Sequence, residues 1–90
     1  MERKKILVLI KSIVLKYNIR KSYLFGSFAR GERYNDLDIM IDPPPHFSLL
    51  DLVGLANEIE EKTGKKVDVI TRRSINKRLK KYIMKDMVAI

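Results

Sequence analysis

Seven residues, Asp36 to Asp42 (DLDIMID), place Leu37, Ile39 and Ile41 at every second position. That period fits a β-strand, whose side chains point alternately to two faces. One face is then apolar and fit for a core, and the other carries Asp36, Asp38, Met40 and Asp42. The two-residue repeat sets the carboxylates of Asp36 and Asp38 roughly 7 Å apart. Like charges so placed repel unless a cation lies between them. An oxygen-rich pair suits Mg²⁺, which takes one or two carboxylates together with substrate phosphates and water. Read alone, the pair is better explained as a half-buried edge strand with a solvated acidic face, because short motifs match by chance.

Around this strand there is room for one domain. A chain of 90 residues with 46% hydrophobic content, residues 1–90, builds one modest core. It contains no cysteine, which excludes disulfides, zinc–thiolate sites and cysteine nucleophiles. The opening MERKKILVLI has the basic start and apolar run of a signal peptide. Lys11 and Lys16 interrupt that run and no small-residue cleavage site follows, so it reads as an amphipathic helix. No stretch reaches the length of about 18 apolar residues that a membrane span needs. The expectation is a soluble cytoplasmic protein with no membrane partner. A net charge of +8 favours an anionic partner, whether nucleic acid, nucleoside triphosphate or acidic protein.

Taken in order, Ile6, Leu9, Ile10, Ile13, Val14 and Tyr17 form the buried face of a helix from Glu2 to Tyr17, with Leu7, Val8 and Leu15 as extra apolar surface. Asn18 stops it, and Lys21 to Phe25 reads as a short strand. Gly26 and Ser27 turn the chain into one helical turn, Ser27 to Arg30, closed by Gly31. Such a turn offers free N–H groups and a hydroxyl to a phosphate, although most Gly-Ser pairs are ordinary turns. Beyond the acidic strand, Pro43 to Pro45 make an extended spacer, and His46, the single histidine, has no assigned role. Ser48 and Asp51 open a helix to about Lys62 with Leu49, Leu52, Val53, Ala56 and Ile59 inward, and Gly64 ends it. Val67 to Thr71 (VDVIT) is a third strand, with Asp68 on the face opposite Val67 and Val69. From Ser74 to about Val88 a helix turns Ile75, Leu79, Tyr82, Ile83 and Met87 inward and Lys77, Arg78, Lys80, Lys81 and Lys85 outward.

This order predicts a small α/β (α+β) fold, a mixed sheet of about three strands with helices covering one face. If the strand of Asp68 lies beside that of Asp36 and Asp38, the three acids share an open face next to the Gly26-Ser27 turn. Two-metal phosphoryl or nucleotidyl transfer needs such an arrangement.

With those residues in hand, the chain resembles the minimal nucleotidyltransferases of the polymerase-β-like superfamily, known as antitoxin partners of HEPN-domain toxins. The resemblance runs through the leading helix, FGSFARGE at 25–32, DLDIMID at 36–42 and KVDVIT at 66–71. It implies that Asp36, Asp38 and Asp68 hold Mg²⁺ and act as the catalytic carboxylates, and that Gly26 and Ser27 bind the β- and γ-phosphates of ATP. It further implies AMP transfer to a tyrosine hydroxyl of the cognate HEPN RNase toxin, within a hetero-oligomer or homo-oligomer. One departure stands out: the connector Phe28 to Asn35 is two residues shorter than is usual in the family. Two other readings stay open, an antitoxin that neutralises by binding through the extra apolar face of the first helix, and a basic nucleic-acid-binding module using the last helix. The latter has no recognition motif and no aromatic platform behind it.

Overall fold

The computed structural model describes residues 2–90. The first helix, α1 (Arg3–Lys16), buries Ile6, Ile10, Ile13 and Val14, and the chain leaves it where Asn18 takes a φ of +63°, a conformation asparagine tolerates. Strand β1 (Lys21–Phe25) leads into the single helical turn α2 (Gly26–Ala29), and the acidic segment forms β2 (Asp36–Asp42). Helix α3 (Leu49–Thr63) opens on a full capping box. Ser48 Oγ accepts from the Asp51 N–H at 3.1 Å, and the Asp51 carboxylate accepts from the Ser48 N–H at 2.8 Å. Gly64, at a φ of +69°, closes that helix. Strand β3 (Lys66–Thr71), a 3₁₀ turn at Arg72–Ser74, helix α4 (Lys77–Asp86) and strand β4 (Val88–Ala89) complete the chain.

The strands form one mixed sheet in the order β3-β2-β1-β4. Strand β1 runs antiparallel to β2 and β4, and β2 runs parallel to β3 through the α3 crossover. Leu24, Leu37, Ile39 and Ile41 from the sheet meet Ile6 and Ile10 of α1 and Leu55 and Ile59 of α3 in one core, each at most 2% exposed. The apolar half of the β2 alternation is therefore what the two long helices cover.

Three details differ from the sequence expectation. The last helix ends at Asp86, and Val88–Ala89 become a fourth strand on the free edge of β1, with the Ile90 N–H donating to the Ser22 carbonyl at 3.0 Å. An uncovered β1 would present unpaired backbone groups there, which explains the return of the chain. In α3 the buried stripe is Leu55, Ile59 and Thr63 with Leu52 half-buried beside it, while Leu49 and Val53 are 75% and 48% exposed. That helix packs on both α1 and β3, and the joint contact rotates it away from the stripe centred on Leu49 and Val53. Finally, α4 rests on β1 and α2 and buries only Ile83, leaving Leu79 and Tyr82 exposed. Met40 is buried too, outside the main core cluster, so the face carrying the acids includes a small apolar patch.

Candidate active site

Pairing of β2 with β3 sets Asp38 directly opposite Asp68 and Asp36 opposite Lys66. Alternation then puts Asp36, Asp38 and Asp68 on one sheet face, with the Cα atoms of the Asp38–Asp68 pair about 4.8 Å apart, the spacing of neighbouring strands. On the other side of β2, Phe25 is the register partner of Asp38, so the end of β1 delivers Gly26 and Ser27 beside the acids. The short Phe28–Asn35 connector is compatible with this juxtaposition.

Gly26 is required twice over. Its φ of +76° lies in the left-handed region, and a Cβ added there would collide with the Asp38 Oδ2. The carboxylate of Asp38 thus lies flush against the turn. Ser27, half-buried, is the first residue after it, where the N–H groups of a helical first turn have no acceptor within the helix.

Two arginines hold these parts in place. From α1, Arg3 donates to the Phe28 carbonyl at 2.6 Å and to the Glu32 carbonyl. Its guanidinium also lies 4.6 Å and 5.0 Å from the ring centroids of Phe28 and Tyr34, which themselves meet edge to face at 4.6 Å. The connector is consequently closed around one cationic side chain. Arg30, at the end of α2, pairs with Glu32 and with Asp86 of α4, each at 2.8 Å.

Asp38 is half-buried, and this burial, together with the negative charges of Asp68 and then Asp36, pushes its carboxyl above the ordinary carboxylate range. Arg30 offsets part of that rise. The three acids line the face in a row, and among the described residues no three acidic or imidazole groups close on one point as in an all-protein metal cage. A donor set made only of carboxylate oxygens, open on one side, fits a hard divalent cation that completes its shell with phosphate oxygens and water. At the Asp38 end of this row lies a cleft of about 540 Å³, lined by Gly26, Arg30 and Asp38 together with Tyr82, Ile83 and Lys85 of α4.

All five residues singled out from the sequence thus fall in one neighbourhood. His46 stands apart at an exposed turn with a φ of +64°. Arg3, Arg30, Tyr34 and the α4 wall were not foreseen. Arg3 acts across 25 residues of sequence, and no local pattern marks such a contact. Arg30 lies within the FGSFARGE segment and had that signal in its favour.

Residues 4–90 match the family described as the nucleotidyltransferase domain. A Methanocaldococcus jannaschii protein provisionally named a protein adenylyltransferase is 42% identical over 80 residues, 87% of this chain and 86% of that protein. Among solved structures, one provisionally assigned as a minimal nucleotidyltransferase superposes with a TM-score of 0.80 at 23% identity, covering 100% of this chain and 97% of the other. A chain of a Shewanella oneidensis complex of a tri-AMPylated HEPN toxin with an MNT antitoxin gives 0.67 at 23% identity, covering 97% and 66%. At such identities the two structures carry the fold alone.

Proposed function

The chain belongs to the nucleotidyltransferase domain family, and from that premise we propose that it is an antitoxin that transfers AMP from Mg²⁺-bound ATP to a tyrosine hydroxyl of a HEPN-domain RNase toxin. The observation that carries this reading is the Asp38 carboxylate lying against the Gly26 turn, with Asp68 beside it in register. The name of the Methanocaldococcus relative and the AMPylated toxin in the Shewanella complex support the choice of nucleotide and acceptor.

In this reading the backbone of Gly26 and the hydroxyl and N–H of Ser27 hold the β- and γ-phosphates, close because no Cβ intervenes. Asp36 and Asp38 would hold Mg²⁺, with Asp68 completing the set, and Asp68 accepts the proton of the attacking hydroxyl. Bound metal would supply charge to stabilise the leaving pyrophosphate and would lower the pKa of the hydroxyl. Arg3 keeps the connector, and with it the turn, at a fixed distance from the acids. Purified protein incubated with labelled ATP, Mg²⁺ and its cognate toxin is expected to label the toxin, and Asp38→Asn to reduce that labelling by roughly a hundredfold or more. An unlabelled toxin under those conditions overturns the proposal.

A second reading, neutralisation by binding, has its own observation. Val8 and Leu15 on α1 and Leu50 on α3 are 63%, 53% and 83% exposed, more apolar surface than a solvated helix face needs. If binding alone suffices, folded Asp36→Asn protein still protects cells from the toxin. Loss of protection in that variant favours transfer.

A further inference from the structure

Folding does not explain the α4 residues that line the cleft beside Asp38. Helical spacing places Tyr82 with Ile83 on an inward stripe, yet Ile83 is 7% exposed and Tyr82 is 74% exposed. Tyr82 borders the cleft that Gly26 and Asp38 also line. It is presented there by a braced helix: Ile83 is buried where α4 lies on β1, and Asp86 is tied to Arg30 at 2.8 Å. Lys85 borders the same cleft, where the charge of Arg30 is already matched by Glu32 and Asp86. An aromatic side chain and a cation that line one cleft with a phosphate-type turn form a complement to a nucleotide's base and phosphates.

We infer that α4 carries the nucleobase subsite: the Tyr82 ring stacks on the base of the nucleoside triphosphate and Lys85 faces its phosphates. This rests on the nucleotidyl-transfer reading and adds what selects the nucleotide. Stacking on an aromatic face accepts every base and grows with ring area, so the subsite favours purines by size and not by hydrogen-bond pattern.

Calorimetric titration of the full chain in Mg²⁺ with ATP, CTP and inorganic tripolyphosphate tests it. Tyr82→Ala is expected to weaken ATP about tenfold, to shrink the preference for ATP over CTP, and to leave tripolyphosphate within about twofold. Tyr82→Phe restores ATP binding, since the ring and not the hydroxyl is responsible. Lys85→Gln weakens ATP and tripolyphosphate alike. ATP affinity unchanged in Tyr82→Ala, an equal loss of tripolyphosphate in that variant, or a Tyr82→Phe protein as weak as Tyr82→Ala overturns the inference while leaving nucleotidyl transfer standing. A wild-type chain that binds neither ATP nor tripolyphosphate overturns both.

Discussion

At the scale of single residues, Asp38 carries a cost in stability that its proposed role would explain. Its carboxyl is raised from the ordinary value of 3.8 by burial and by its two acidic neighbours, so ionising it is harder in the folded chain than in the unfolded one. Between 3.8 and the raised folded value the native state binds more protons than the unfolded state. Stability therefore rises as pH falls through that window, and above it the charged carboxylate is a standing cost. Asp38→Asn is expected to raise the melting temperature at about pH 7 by a few degrees, and the advantage over wild type is expected to shrink as pH approaches 3.8. Paired thermal melts across that range check the sign, and a lower melting point for the variant at neutral pH would contradict it. A site that spends stability in this way is common where chemistry needs charges held together.

At the scale of elements, α3 shows how a helix face is chosen. Its sequence offers apolar residues at Leu49, Leu50, Leu52, Val53, Leu55, Ala56 and Ile59, more than one stripe can use. Contact with α1 and β3 together selects the Leu55 and Ile59 side. Leu55→Ala, at a site with no exposure, is expected to cost about 2–5 kcal/mol. Val53→Ala, 48% exposed, is expected to cost under about 0.5 kcal/mol. Urea denaturation of the two variants separates them, and near-equal costs would mean that the helix is rotated otherwise. The connector before β2 teaches a related lesson: Arg3, distant from it in sequence, closes it compactly with Phe28 and Tyr34.

For the whole molecule, charge is the dominant global term. The chain carries a net +8 within extents of 35 × 31 × 18 Å. At about 0.01 M salt the screening length is roughly 30 Å, so nearly every charge senses every other, whereas at about 0.1 M it is roughly 10 Å. The four surface ion pairs among the described residues, such as Lys16–Glu58 between α1 and α3, lose little when screened. Relief of the net repulsion is the larger effect, and the melting temperature is expected to rise with potassium chloride over this range. A falling midpoint would show that the individual pairs outweigh the overall field.

The sequence by itself determined the strands β1, β2 and β3, the limits of α1 and α3, and the identity of the turn and acidic residues. Each of these is written in local terms: alternation in DLDIMID, the Ser48–Asp51 box, and left-handed stops at Asn18 and Gly64. Only the tertiary structure decided which face of α3 is buried, that the chain returns as β4, that Arg3 clamps the connector, and that α4 brings Tyr82 and Lys85 to the cleft. The reason is physical. A backbone period or a cap depends on neighbours within one turn, whereas these four features depend on competition among distant surfaces for the same contact, and that competition is resolved only when the whole chain has closed on its core.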